Sequence, residues 1–269
     1  MSATNSKKRN EEKQYLVKAV INALDVLEVF IGKEEEIGVG ELSRRLDLPK
    51  NKIFRLLSTL KERGFVEQNK VTEKYRLGLK VFELGQAYKS KLGLLKLAHP
   101  ILVNLSVSCD ESVYMAVLDG IEVVYVDMEE TTKPLRIVPH LGSRAPVYCT
   151  AIGKIQLAFR DVEEREGIVK KMRLETKTKN TITDIRKLTK QLLEIIKKGY
   201  ALDNEEFEEG VKCVAVPIRD YNNAVVAGIC ISGPSVRMSE KRIKNELLKL
   251  ILDASQEISH KLGYLEGYK

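Results

Sequence analysis

Apolar residues recur along this chain with two different periods, and the change of period divides it. From Tyr15 to Gly32, the residues Val17, Val20, Ile21, Leu24, Leu27 and Phe30 fall at helical spacing, which predicts an amphipathic first helix. Residues 33–36 read as a charged loop. A short second helix is predicted over 41–46, with Leu42 and Leu46 facing inward. Asp47-Leu48-Pro49 then imposes a turn, because the residue before a proline avoids helical backbone, while the proline itself suits a helix start. A third helix is predicted over 50–63, with Ile53, Leu56, Leu57 and Leu60 as its buried stripe and Gly64 as its stop. Two strand-like stretches follow, 65–68 and 74–77, joined by the polar turn 69–73. Two helices across a tight turn, packed on a longer one and followed by a hairpin, make a winged helix-turn-helix.

Residues 79–90 are again helical, with Val81, Phe82, Leu84 and Tyr88 apolar, and 92–110 reads as a further helix despite Pro100. Beyond it the period shortens to two. Strands are predicted at 113–118 and 123–128 around the turn signal Asp119-Gly120, and a third at 135–139. Helices are expected at 151–159 and 162–172. Thr183 and Asp184 are placed to cap a long helix that ends before Gly199. Strands at 212–218 and 224–232 flank the turn Asp220-Tyr221-Asn222-Asn223, and a last helix runs over 239–262. An antiparallel sheet flanked by helices is an α+β layer architecture. The division expected is a polar arm (1–14), a winged helix-turn-helix (15–78), a linker helix (79–95) and a larger domain (96–269).

Composition narrows the function. The 269 residues are 43% hydrophobic and 31% charged, which suits a soluble chain with a real core. No apolar run approaches the ~18 residues of a membrane helix, and the polar N-terminus lacks a signal-peptide centre. A cytoplasmic protein with no membrane partner is expected. The four cysteines, Cys109, Cys149, Cys213 and Cys230, have no close spacing and are expected as thiols. The formal net charge is +7, and residues 50–78 hold eight Lys/Arg against three Glu. Most of the basic surplus therefore sits on the helix-turn-helix and its wing.

That placement points to duplex DNA. The N-terminal turn of a recognition helix meets the major-groove floor, and here it carries Lys50, Asn51 and Lys52, with Arg55 one turn on. Lys and Arg donate to guanine O6/N7 and Asn pairs with adenine. Lys70, Lys74 and Arg76 on the wing are placed for phosphates, which set register and affinity without reading sequence.

The ordered motifs resemble the IclR family of bacterial regulators. Glu41-Leu42-Ser43-Arg44-Arg45, Leu48-Pro49-Lys50 and Arg55-Leu56-Leu57-Ser58-Thr59-Leu60 are similar to its helix-turn-helix, and Gly64-Phe65-Val66 and Tyr75-Arg76-Leu77-Gly78 to its wing. Pro146 through Lys154, Tyr200 through Cys213, and Ile231-Ser232-Gly233-Pro234-Ser235-Val236-Arg237 resemble segments of its effector domain. Tyr148 stands where the family usually has His, and Asn51-Lys52 where it often has Ser-Thr. The resemblance implies a GAF-like effector domain, no cofactor, a homodimer or dimer of dimers, and a ligand pocket formed by Ala151, Ile152, Asp203, Cys213, Cys230 and Ser232. Ile137 and Tyr148 are expected to add an apolar or aromatic wall. Residues two apart on a strand share a face, so Cys230 and Ser232 point together. A helix start near Thr150 offers free amides to an anion. A small carboxylic acid, aromatic acids included, is the expected effector.

Three other readings stand beside this one. Asp203, Cys213, Cys230 and Cys149 could converge on a metal or act as responsive thiols. Cys149 with His140 imitates a thiol–imidazole pair, although no third group to orient them is legible, and no enzyme is expected. A sensor that binds protein instead of DNA is the third.

Overall fold

A computed structural model describes residues 16–31, 34–91 and 93–265. The predicted arm 1–14, together with Tyr15, Gly32, Lys33, Leu92 and the side chain of Tyr88, lies outside the described residues. The chain forms two compact units, residues 1–91 and 92–269.

The first unit holds helices α1 (Lys18–Val29), α2 (Val39–Leu46) and α3 (Lys50–Glu62), strands β1 (Val66–Gln68) and β2 (Tyr75–Leu77), and helix α4 (Leu79–Lys91). Its core gathers Val26, Phe30, Ile37, Leu42, Ile53, Leu57, Leu60, Val66 and Tyr75. Asp47 adopts a left-handed conformation (φ 50°) that ends α2. Ser43 Oγ donates to the Leu48 carbonyl at 2.6 Å across the turn, and Pro49 precedes α3. Of the apolar residues expected on α1, Phe30 is buried and Leu27 packs against this core, but Val17, Val20, Ile21 and Leu24 are exposed, and Asn22 and Val26 are buried in their place. A helix carrying apolar residues around most of its circumference does not itself say which side packs; here α2 and α3 select the Val26 side.

The second unit begins with α5 (Gly93–Cys109), which passes through Pro100 without ending. The elements β3 (Ser112–Asp119), β4 (Glu122–Glu129), β5 (Arg144–Pro146), α6 (Ala151–Ala158), α7 (Val162–Lys171), α8 (Ile185–Lys198), β6 (Ala201–Asn204), β7 (Val211–Arg219) and β8 (Val225–Pro234) follow. α9 (Glu240–Arg242) continues through a π-helical turn (Ile243–Leu247) into α10 (Leu248–Lys261). All six strands are antiparallel, in the order β5-β4-β3-β8-β7-β6. The two hairpins β3–β4 and β7–β8 meet through β3 and β8, with Val113 opposite Ile231 and Met115 opposite Ile229.

Both sheet faces are covered, so the central strands are apolar on both sides. One face carries Val113, Met115, Val214, Val216, Ile218, Ala227, Ile229 and Ile231, packed against α5 and α10. The opposite face carries Tyr114, Ala116, Ala215 and Cys230 beneath α6 and α8. α6 lies very close to the sheet: a Cβ on Gly228 would meet Ile152 at 3.1 Å and Ile155 at 3.2 Å. α8 is ended as the sequence predicts, by Gly199 at φ 75°, and started by Asp184, whose carboxylate accepts from the Arg186 amide at 2.7 Å.

The strand predicted at 135–139 does not form. The edge strand is 144–146, and residues 135–143 are irregular, with Pro134 before them and Pro139 among them. Side chains hold this segment in place of a ladder. Tyr114 Oη donates to the Ile137 carbonyl, and Arg237 Nη2 donates to the Leu135 carbonyl at 2.9 Å. Arg237 in turn grips Glu111 through bonds of 2.7 and 2.6 Å, and Arg242 adds a third at 2.8 Å. Burial alone would raise the Glu111 carboxyl, but the two guanidiniums hold it below the usual range.

Gly153, in the first turn of α6, has no room for a side chain: an added Cβ would collide with the Val147 backbone and lie 2.6 Å from Thr150 Oγ1. Gly167 in α7 has nothing within 4 Å of such a Cβ. Gly153→Ala is therefore expected to cost roughly 2–3 kcal/mol by overpacking. Gly167→Ala should gain about 0.5–1 kcal/mol through helix propensity. Urea unfolding of the two variants checks the contrast; equal effects would mean that α6 has slack at its start.

Candidate functional site

In the first unit, Lys50, Asn51 and Arg55 are exposed on α3 and Lys52 is half-exposed, so the start of the helix is presented outward. The buried side of the same helix is Ile53, Leu57 and Leu60, which turns the basic side away from the core. On the wing, Val66 pairs with Leu77 and Gln68 with Tyr75. Asn69 Oδ1 accepts from the Val71 amide at 2.9 Å and shapes the turn. Lys70, Lys74 and Arg76 are exposed. Arg76 is also ion-paired with Glu67 at 3.2 Å, so its charge is partly answered within the hairpin.

In the second unit, a cavity of about 460 Å³ opens on the α6 side of the sheet. Register explains which side chains reach it. Asp203 on β6 lies opposite Cys213 on β7, and Cys213 lies opposite Ser232 on β8. Cys213 Sγ donates to Ser232 Oγ at 3.1 Å, and Cys230 lies opposite Tyr114. Tyr114 and Tyr125 meet edge to face with centroids 5.9 Å apart. These side chains form a floor across five strands. One wall is the start of α6, where Thr150 Oγ1 accepts from the Gly153 amide at 3.2 Å. The amides of Ala151 and Ile152, one residue and two residues into the helix, have no acceptor within it. The irregular segment 136–143 forms the roof.

Of the residues expected at the pocket, Ile137, Ala151, Ile152, Asp203, Cys213, Cys230 and Ser232 all line this one cavity. Tyr148 does not. It is buried away from it, its hydroxyl donating to the Glu175 carbonyl at 2.8 Å and accepting from the Glu175 amide at 3.1 Å. A position three residues before a helix points where the preceding backbone sends it, and here that is toward the segment after α7. Tyr114, Tyr125, Arg136, Arg144 and Phe207 were not foreseen. Period-two alternation says that Tyr114 and Ala116 share a face, but it does not say which strands lie alongside.

Charge in the cavity is unevenly answered. Lys154 is fully buried and paired with Glu206 at 2.5 Å. Arg136 pairs with Glu130 at 2.8 Å, and Arg144 with Asp119 at 2.5 Å. Asp203, only 3% exposed, accepts from the Glu206 amide at 2.7 Å. Burial is the main cause that lifts its carboxyl to about 7, with the Glu206 charge acting in the same sense and the Glu206 amide and Lys154 opposing. Burial also pushes the Cys149 thiol up to about 12 and the Cys213 and Cys230 thiols upward. These thiols are protonated at neutral pH, unlike the thiolates that attack substrates or bind metals. Among the described residues no hydrogen bond joins Cys149 to His140. No group of three His, Cys, Asp or Glu among them is placed to hold a metal ion.

A carboxyl raised on folding contributes stability that is complete below its unfolded pKa of about 4 and is lost as pH rises through about 7. The stability of Asp203→Asn relative to the wild type is therefore expected to grow as pH rises from 4 to 8, by on the order of 2–4 kcal/mol. Guanidinium unfolding across that range checks it; a flat difference would mean that Asp203 stays ionised in the folded protein.

Comparison with known proteins places the chain. Residues 19–70 match the IclR helix-turn-helix domain, and residues 86–260 match the bacterial transcriptional regulator IclR C-terminal model. The HTH-type transcriptional regulator KdgR of Escherichia coli is 37% identical over 248 residues, 92% of this chain and 94% of that protein. The Thermotoga maritima IclR structure is 35% identical with a TM-score of 0.75, covering 91% of this chain and 98% of that one. An IclR homologue from Microbacterium hydrocarbonoxydans, solved with 4-hydroxybenzoate, shares the fold at 24% identity and a TM-score of 0.81, covering 91% of this chain and 99% of its own. With both halves matched in order and a third of its residues shared across nine-tenths of its length, the chain belongs to the IclR family of transcriptional regulators, DNA-binding proteins and not enzymes.

Proposed function

We propose that this regulator reads a duplex operator with the exposed first turns of α3, and that a small carboxylic acid in the second unit's cavity changes its operator affinity. The observation that carries the reading is that seven of the eight residues expected at the pocket line one cavity. Its walls suit an organic acid: two tyrosine rings and Ile137 for an apolar body, two helix-start amides and Ser232 for an anionic head. An aromatic acid of the size of 4-hydroxybenzoate suits the volume. A thermal-shift panel of acetate, pyruvate, benzoate and 4-hydroxybenzoate tests this, since a ligand bound only by the native state raises the melting point. If the acid that stabilises the protein is the effector, it also shifts operator affinity, and operator DNA shifts the affinity for the acid by the same factor. Stabilisation without any change in operator binding would remove the allosteric half of the reading.

On the DNA side, Arg55 is assigned to base edges and Lys70, Lys74 and Arg76 to phosphates. Arg55→Ala is expected to cost about 1–3 kcal/mol and to relax preference at one or two operator positions. Lys74→Ala should weaken all sequences alike and lower the salt slope by about one. Gel shifts with the upstream region and with scrambled duplex, across salt concentrations, separate the two; matching profiles would contradict the division of roles.

The exposed apolar side of α1, formed by Val17, Val20, Ile21 and Leu24, supports a homodimer or a dimer of such dimers. Leu24→Glu is expected to halve the sedimenting mass, read by analytical ultracentrifugation. An unchanged mass would locate the interface elsewhere.

A further inference from the structure

Among the described residues, the cations around the cavity each have their own carboxylate: Lys154 has Glu206, Arg136 has Glu130, and Arg144 has Asp119 and Glu122. Asp203 is different. It sits in the cavity floor with a backbone amide on Oδ1, and no side-chain cation is bonded to it among the described residues. Titratable groups face it from each surrounding element. Lys154 comes from α6, Cys149 from the segment before it, Glu206 from the loop after β6, Cys213 from β7, Cys230 from β8 and Tyr125 from β4. Burial raises the three thiols and the phenol, so all four remain protonated and add no charge near neutrality. Lys154 and Glu206, paired with each other, act on Asp203 in opposite senses. Glu208, also on the lining, is exposed to water.

A ligand carboxylate entering this cavity would therefore place a second negative group beside a desolvated first one. Two carboxyls in close quarters with little water do not both stay ionised; they retain a proton between them. We infer that Asp203 sets which acids the cavity accepts and at what pH: a carboxylate binds with uptake of one proton from solvent, held on Asp203, which then donates it as a hydrogen bond to the ligand. This rests on the organic-acid reading of the cavity above and adds the protonation state that the reading requires. The near-neutral titration of Asp203 in the empty protein makes the uptake feasible at physiological pH. The neutral acid then serves as a donor, and selectivity follows. Carboxylates gain affinity as pH falls through neutrality, and ligands lacking an anionic group show no such gain.

The test is isothermal titration of the full-length protein with benzoate, in phosphate and in Tris at about pH 8, and in MES and in bis-Tris at about pH 5.5. The difference in heat between buffers counts protons. Close to one proton is expected to be taken up per benzoate at the higher pH and close to none at the lower, with affinity weakening about tenfold per pH unit above neutrality. Asp203→Asn, which keeps a donor that does not titrate, should bind benzoate with the same affinity at both pH values and take up no proton. Benzoate binding at pH 8 without proton uptake in the wild type overturns the inference and leaves the organic-acid cavity standing. Uptake that persists in Asp203→Asn assigns the proton to another group and also overturns it. Absence of benzoate binding to the wild type at either pH, together with no thermal shift from acetate, pyruvate or 4-hydroxybenzoate, defeats the organic-acid reading beneath it.

Discussion

The close approach of α6 to the sheet is the constraint on which the second unit depends. Gly228 on β8 leaves the space that Ile152 and Ile155 occupy, and Gly153 lets the helix start press against Val147. With the helix that close, its first turn comes level with the side chains of β6, β7 and β8. A larger residue at either glycine would lift the helix start away from the floor. The cavity exists because a helix start, a sheet face and an irregular roof meet there, and two of those three borders are set by a missing side chain.

The roof depends on a second, polar constraint. A nine-residue irregular segment over a cavity has few ladder bonds, so its carbonyls must be satisfied by other means. Tyr114 and Arg237 supply two of them, and Arg237 is itself fixed by a fully buried Glu111. Removing one partner of such a group leaves a buried charge unanswered, which typically costs several kcal/mol. The network thus connects the end of α5, the start of β3, the residues after β8 and the roof. Stability of the domain and shape of the cavity draw on the same few side chains.

The first unit solves a simpler problem. Its small core uses one side of each helix, and the basic turn of α3 faces outward because Ile53 and Leu57 face inward. Charges on the wing are partly answered inside it, as between Arg76 and Glu67, so the field presented to a phosphate backbone is smaller than a count of cations suggests. Among the described residues, Lys50, Lys52 and Arg55 on α3 and Lys70 and Lys74 on the wing enter no ion pair as close as that of Arg76 with Glu67. The apolar side of α1 leaves this unit with surface that an isolated monomer gains nothing by exposing.

Much of this was legible in the residues alone. Helical spacing, the Asp47-Leu48-Pro49 turn, the caps at Asp184 and Gly199 and the two hairpin turns are local signals, and local backbone preferences determine them. Which cysteine and serine share a strand face also follows from period two. The irregular 135–143 segment, the true edge strand and the buried side of α1 did not follow, because each is settled by what lies across from it. Tyr148 went to the wrong side for the same reason, and Tyr114 and Tyr125 entered the cavity through strand order and register. The state of Asp203 is the clearest case: its identity and strand were readable, but its charge depends on neighbours from other strands and from α6 that exclude water, and on Glu206 holding Lys154. Sequence by itself determined the elements and their inward candidates; tertiary structure decided pairing, register and desolvation, which are properties of neighbours and not of the chain's local chemistry.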